Sequence, residues 1–141
     1  GKTKWEGEEF VRQNPKHFIL RTSWVFSPQG HNFLKTIFKL AQEKTSLSVV
    51  DDQWGRPTYG IDLARTVLKL LSNDTLHTFP ILHYANQGVC NWKVFADAIV
   101  NELECKTIIQ GISTSAYPTL AKRPNYSILN KIFWYTSTNH K

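Results

Sequence analysis

The chain has no methionine and, among 141 residues, only two cysteines, Cys90 and Cys105. Two isolated cysteines suggest neither a disulfide framework nor a metal site, and we expect two free thiols in a reducing cytosol. No apolar run is long enough to cross a bilayer, and the first residues do not resemble a signal peptide. The sequence therefore predicts a cytoplasmic protein that has no membrane contact.

Dense runs of basic residues are also lacking, although the formal net charge is +6. The 17 Lys and Arg residues are scattered, which favours a soluble domain with a positive surface over a nucleic-acid-binding protein. A positive balance also suits a small anionic substrate. The histidines, His31 and His83 among them, do not have the spacing of metal ligands, and we interpret them as structural. Hydrophobic residues make up 41% of the chain, enough for a packed core.

Apolar periodicity and turn residues divide the chain into alternating helices and strands. Helices are predicted over residues 1–13, 32–44 with a cap at Asn32, 61–71, and from a cap at Asn91 onwards. Strands are predicted over residues 17–22, 47–50, 81–85 and 107–112, a polar loop over 51–60 and an irregular tail from Tyr117. This alternation indicates an α/β domain with a small, largely parallel sheet and flanking helices.

Five blocks of residues carry a resemblance that none of them carries alone. They are residues 1–8 (GKTKWEGE), 21–26 (RTSWVF), 32–36 (NFLKT), 49–59 (VVDDQWGRPTY) and 121–127 (AKRPNYS). In this order and spacing they resemble the carboxyl-terminal half of the dTDP-4-dehydrorhamnose reductase family, extended short-chain dehydrogenases with a Rossmann-like fold. Residues 1–141 are accordingly expected to form one substrate-binding portion, without the amino-terminal dinucleotide-binding portion.

The resemblance implies an NADPH-dependent oxidoreductase of dTDP-rhamnose biosynthesis, which converts dTDP-4-dehydro-L-rhamnose, a nucleotide sugar, to dTDP-L-rhamnose. NADH as the cofactor, Mg²⁺ without an assigned site, and a homodimer are left open. The catalytic tyrosine and the glycine-rich dinucleotide loop are not in this sequence, so the chain by itself is expected to be inactive. The alternatives are a binding subunit without turnover, resembling the regulatory subunit of methionine adenosyltransferase, and a non-functional remnant.

Lys4 matches the lysine of the Tyr-x-x-x-Lys motif, whose tyrosine would immediately precede Gly1. The resemblance implies that Lys4 is catalytic and also binds the cofactor ribose. A nearby positive charge favours the phenolate, so the lysine would lower the pKa of the tyrosine that protonates the substrate carbonyl. From the residues alone, a solvated surface lysine is the simpler interpretation.

Six further residues are candidate substrate contacts: Trp24, Asn32, Phe33, Gln53, Arg56 and Arg123. Trp24 follows a strand, where ligands of open α/β sheets bind, and it would offer the sugar a flat wall and an N–H donor. Arg56 and Arg123 each precede a proline and would grip the diphosphate bidentately.

Each of these candidates also has a structural interpretation that position alone does not exclude. Trp24 would be a core residue, and the two arginines would be exposed or paired with carboxylates. Asn32 fits a helix cap that also offers its helix start to phosphate. Gln53 fits a solvated loop residue, and Phe33 rests on the resemblance alone.

Overall fold

The computed structural model describes residues 1–72 and 81–130. Its helices are α1 (Lys2–Arg12), α2 (Phe33–Glu43), α3 (Gly60–Leu71) and α4 (Trp92–Glu102). Its strands are β1 (Ile19–Arg21), β2 (Val25–Phe26), β3 (Ser46–Val50), β4 (Trp54–Gly55), β5 (Thr58–Tyr59), β6 (Ile81–His83), β7 (Cys90–Asn91) and β8 (Ile108–Ile112). The predicted α/β class is therefore confirmed.

The strands form four hydrogen-bonded pairs within the described residues. Three pairs are parallel (β1 with β6, β2 with β5, β3 with β8), as the prediction of largely parallel pairing requires. The fourth, β4 with β7, is antiparallel. It connects the segment before Arg56 to the start of α4.

The prediction of a polar loop over residues 51–60 was wrong, because β4 and β5 both lie within it. Thr58 of β5 pairs with Val25 and is completely buried, with 0% of its surface exposed. Each strand has two residues, too few for a period-two pattern to be visible in the sequence.

Helices α2 and α4 pack on the β3–β8 pair and form the main core with it. Its buried members are Ile37, Ala41, Leu47, Val49, Ala96, Ile99, Val100 and Ile109. Both predicted caps are confirmed: the side chain of Asn32 accepts from Lys35 N at 3.1 Å, and that of Asn91 accepts from Val94 N at 2.8 Å. The caps fix where each helix begins, and so fix the positions of the first residues of α2 and α4.

The chain after β8 has a short 3₁₀ turn at Thr114–Ala116 and is otherwise irregular up to residue 130, apart from a bridge between Tyr126 and Trp54. Residues 131–141, to which the sequence assigns no role, lie outside the described residues. No helix in the described ranges has the length and apolar character needed to cross a membrane.

Candidate functional site

A cavity of about 400 Å³ lies beside α2, β3 and the irregular chain after β8. Its lining includes three predicted site residues, Phe33, Gln53 and Arg123, together with Trp92. These residues are far apart in the sequence and come from α2, the segment between β3 and β4, the tail and α4. The fold therefore brings part of the predicted site together around one space.

The indole of Trp24, which follows β1, stacks on the indole of Trp92. The two ring centroids are 3.5 Å apart and the planes are inclined by 7°. Phe33 lies 4.6 Å from Trp92, also between centroids. The backbone of Trp24 has a φ of 50°, a left-handed conformation that is costly for a bulky residue and persists only where its surroundings hold it.

Gln53 is buried, with 9% of its surface exposed, so the interpretation as a solvated loop residue was wrong. Its Oε1 accepts a hydrogen bond from Nε1 of Trp92 at 3.2 Å, and its Nε2 donates to Oγ1 of Thr114 at 3.0 Å. The Asp52 carboxylate accepts from Thr114 N at 2.9 Å. The hydrogen bonds from Thr114 hold the pKa of Asp52 below its ordinary value. A polar chain thus runs from Asp52 to the indole of Trp92.

The two arginine-containing segments lie side by side. Trp54 N donates to Asn125 O at 2.7 Å, and Ser127 N donates to Trp54 O at 2.9 Å. Arg123 is exposed and Arg56 is half-buried. Neither guanidinium forms an ion pair with a carboxylate of the described residues, and Nε of Arg56 is buried without a hydrogen-bond partner among them. Two unpaired cations on neighbouring segments are suited to an anion.

Both polar atoms of the Asn32 side-chain amide form hydrogen bonds within the protein. Oδ1 caps α2, and Nδ2 donates to Ser27 O at 2.8 Å. A ligand would therefore meet this position through the backbone at the start of α2 rather than through a free side chain.

Lys4 is exposed on α1 and is not among the residues that line the cavity. Within the described residues its ammonium group forms no ion pair. Lys4 lies one turn before Glu8, on the same face of the helix. The helix leads back into the start of β1 through residues 13–18, whereas Glu8 contacts Arg21 at the end of β1. Lys4 therefore lies roughly 6 Å along the helix beyond this contact, towards the end of β1 that Trp24 follows.

The Glu8–Arg21 contact holds α1 to the rest of the protein. Arg21 donates from Nε to Oε1 of Glu8 at 2.8 Å and from Nη2 to Oε2 at 2.6 Å, and 15% of the Glu8 side chain is exposed. No residue of α1 is buried, and Trp5 and Phe10 are exposed. Where apolar packing is this sparse, a bidentate ion pair has a larger share in fixing the helix.

Residues 1–140 match the family model of the RmlD substrate binding domain. The chain belongs to the RmlD substrate-binding family. The spore coat polysaccharide biosynthesis protein SpsK of Bacillus subtilis is 45% identical to it over 131 residues, which cover 92% of this chain and 45% of that protein. The dTDP-4-dehydrorhamnose reductase of Aggregatibacter actinomycetemcomitans is 40% identical over 141 residues, or 92% of this chain and 48% of the reductase. The chain thus spans about half the length of the curated relatives it matches.

Two solved reductases have the same fold as this family member. The dTDP-4-dehydrorhamnose reductase of Bacillus anthracis, in complex with NADP, matches with a TM-score of 0.90 at 36% identity, over 97% of this chain and 48% of that one. The Clostridium acetobutylicum reductase also gives 0.90, at 39% identity over 98% and 48% of the two chains. The resemblance read from the five blocks is confirmed. The reductases named here give no support to a regulatory subunit of methionine adenosyltransferase.

Sequence reasoning about this RmlD-family chain missed Trp92 as a part of the site. Trp92 was not among the predicted site residues, but it stacks on Trp24 and lines the cavity. The available signal was its position directly after the Asn91 cap, which puts its ring at the same end of α4 as the capping loop. Asp52 and Thr114 gave no comparable signal, because they meet across 62 positions.

The pairing of Glu8 predicts a pH dependence of stability in this RmlD-family chain. Hydrogen bonding to Arg21 lowers the pKa of Glu8, so its contribution is fully present above the unfolded-state pKa of about 4.3 and is lost as the pH falls through the lower folded-state pKa. Urea denaturation is expected to show that Glu8→Gln destabilises the chain clearly at about pH 7 and much less at an acid pH below the folded-state pKa. Glu9→Gln, in an exposed pair with Arg12, is the control with a small effect at both. An equal loss for Glu8→Gln at both pH values would contradict the prediction.

Proposed function

We propose that this chain is the substrate-binding part of an NADPH-dependent reductase that converts dTDP-4-dehydro-L-rhamnose to dTDP-L-rhamnose. The observation that carries the proposal is the pair of unpaired guanidinium groups, Arg56 and Arg123, on two hydrogen-bonded segments next to the stacked indoles. This combination suits a ligand with a diphosphate at one end and a sugar at the other. The names of the relatives and the NADP in the Bacillus anthracis structure support the same reaction.

In this proposal the two arginines bind the diphosphate. A guanidinium group can donate two parallel hydrogen bonds to two phosphate oxygens, and it stays charged at all relevant pH values. Trp24 contacts the sugar. Phe33 and Gln53 contribute to the cavity wall, and the helix start at Asn32 offers backbone N–H groups to an anion.

Lys4 is proposed to hold the ribose hydroxyls of the dinucleotide and to lower the pKa of the proton-donating tyrosine. Its ammonium group, exposed and without an ion-pair partner among the described residues, fits both roles. The nicotinamide, when bound, supplies the hydride. The described residues contain no group of three His, Cys, Asp or Glu side chains that could hold a metal ion, so the proposal assigns no Mg²⁺ site.

A cytoplasmic location remains a prediction from the sequence, which leaves a homodimer open. The division of the enzyme, in which residues 1–141 are one substrate-binding portion beside a separate dinucleotide-binding portion, also remains a prediction. NADPH is preferred to NADH in the proposal because the solved relative contains NADP.

The proposal is tested with a chimera in which this chain replaces the matching 48% of the Bacillus anthracis reductase. We expect the chimera to oxidise NADPH when dTDP-4-dehydro-L-rhamnose is added. The 141-residue chain alone should show no turnover, because the tyrosine and the dinucleotide loop are not part of it. A chimera that folds and binds NADPH but does not turn over would refute the proposal, and so would turnover by the chain alone.

A further inference from the structure

One side of the cavity is formed by an exposed loop, residues 115–124, which we call the cavity loop. Its residues Tyr117, Thr119 and Arg123 line the cavity, and every residue of the loop is exposed. From residue 118 to residue 124, no hydrogen bond or ion pair joins the loop to another part of the described protein. Hydrogen bonds therefore place these side chains only through the two ends of the loop.

Both ends of the cavity loop are held by one short segment, residues 52–54. At the far end, Trp54 N donates to Asn125 O at 2.7 Å. At the near end, Thr114 N donates to both side-chain oxygens of Asp52, at 3.0 Å and 2.9 Å, and the Thr114 hydroxyl donates to one of them. The far end is a backbone contact that many side chains at position 54 would allow, whereas the near end depends on the side chain of Asp52.

The near end determines where Tyr117 lies. Tyr117 N donates to Thr114 O at 3.1 Å, so the 3₁₀ turn carries the position of Thr114 directly to Tyr117. The tyrosine has 58% of its surface exposed, and its ring stacks on no other aromatic side chain of the described residues. It thus presents a flat apolar face and a polar tip to whatever occupies the cavity.

The hydrogen bonds at the near end require an acceptor at position 52. The indole N–H of Trp92 can only donate, so the side-chain oxygen of Gln53 faces it and the amide nitrogen faces Thr114. The Thr114 hydroxyl accepts from Gln53, and its single proton is then directed to Asp52. Thr114 therefore offers Asp52 two donors, the hydroxyl and the backbone N–H, and a carboxylate accepts from both because it carries no hydrogen.

We propose that Asp52 is a positioning residue for substrate binding, which holds Thr114 so that Tyr117 lies against the substrate in the cavity. Asp52 is not among the residues that line the cavity, so it acts through the loop and not by contact with the ligand. This inference rests on the proposed function, because it takes the nucleotide sugar as the occupant of the cavity. Without the near end, Tyr117 would have to be ordered when the substrate binds, which weakens binding.

The test replaces Asp52 by asparagine in the chimera. Asparagine has nearly the same shape, but its NH₂ group would face one of the two donors of Thr114. We expect KM for dTDP-4-dehydro-L-rhamnose to rise between about 3-fold and 10-fold, with little change in kcat. Asp51→Asn makes the same change one residue earlier, at a carboxylate that lies beside Gly111 and outside the cavity lining, and it should leave KM unchanged.

Two double-mutant cycles separate positioning from general damage. Tyr117→Ala should raise KM by itself, and adding Asp52→Asn should cause no further loss, because the side chain that Asp52 places is then absent. In an Arg123→Ala background, Asp52→Asn should keep its full effect, since Arg123 lies two residues before the far end at Asn125. An unchanged KM for Asp52→Asn, or the same loss in both backgrounds, would overturn the inference.

Thr114 gives the same answer independently, should Asp52→Asn fail to fold. Thr114→Val removes the hydroxyl group at nearly constant shape and should raise KM as Asp52→Asn does. Thr114→Ser keeps the hydroxyl group and should leave KM near that of the unmodified chimera. Equal KM values for the two variants would contradict the inference.

Trypsin cleavage after Lys122, identified by mass spectrometry, measures the hold on the cavity loop without requiring turnover. Cleavage should be faster in Asp52→Asn than in Asp51→Asn, because only the first variant releases the near end. Equal rates would refute the role of Asp52 in holding the loop. An unmodified chimera that shows no turnover would instead refute the proposed function, so the two failures are distinguishable.

Discussion

Replacing Lys4 by methionine in the chimera is expected to lower kcat by about 100-fold or more, the scale of a lost contribution to general acid–base catalysis. Without the ammonium group the phenolate of the neighbouring tyrosine is less favoured, so the pKa of the tyrosine rises. The pH profile of kcat should therefore shift towards alkaline pH. Steady-state kinetics across pH measures both effects.

Two variants show whether that loss is specific. Lys2→Met makes the same chemical change on the same helix, at an exposed lysine paired with Glu6 at 3.8 Å, and should leave kcat and its pH profile as they are. Arg123→Ala removes a cation that is assigned to the substrate instead. It should raise KM by about 10-fold or more through a lost charged hydrogen bond, with a smaller change in kcat. A Lys4→Met enzyme with normal kcat would remove Lys4 from the catalytic assignment.

The helices of this protein were predictable because their signals are local. Asn32 and Asn91 each precede an apolar stripe and accept a hydrogen bond three residues later, which is a property of adjacent sequence. The class of fold followed from the alternation of these helices with short apolar runs. The short strands β4 and β5 were not predictable, because each exists only through pairing with a distant segment.

The order of the blocks was enough to predict the arginines and Phe33 as candidate site residues, but not to predict how they are arranged. Their arrangement depends on backbone hydrogen bonds from Trp54 to residues about seventy positions later. The contacts of Gln53 were unpredictable for the same reason, because its partners Thr114 and Trp92 belong to two distant parts of the chain. A polar residue in a predicted loop is assigned to solvent by default, and only the tertiary packing shows that this one is buried.

Replacing Gly55 by alanine is expected to destabilise the chain by about 1–3 kcal/mol, the usual cost of adding a methyl group where there is no space. The new Cβ atom would stand 2.3 Å from Cε2 of Trp24, far inside van der Waals contact. The indole of Trp24 has no room to move away, because the ring of Trp92 is stacked on it with 3.5 Å between the two ring centroids. Urea denaturation measures the loss, and near-UV circular dichroism should show that the indole stack is disturbed. In the chimera, the same variant should also raise KM, since Trp24, which is proposed to contact the sugar, would be moved.

Gly7→Ala is the matched control, and it is expected to raise the free energy of unfolding rather than lower it. Gly7 lies within α1, and a Cβ atom there would meet nothing within 4 Å. Alanine at an exposed helix position is favoured over glycine by about 0.5–1 kcal/mol, because glycine loses more backbone freedom on folding. If Gly55→Ala lowers stability while Gly7→Ala raises it, the loss is caused by the contacts at Gly55 and not by the replacement of a glycine as such.

A double-mutant cycle identifies the atoms responsible. If the cost of Gly55→Ala comes from the collision with the indole, it should disappear in a Trp24→Ala background, where the ring is no longer present. The coupling free energy between the two positions would then equal most of the cost of Gly55→Ala alone. The same cost in both backgrounds would mean that the requirement for glycine at position 55 comes from its own backbone and not from contact with Trp24.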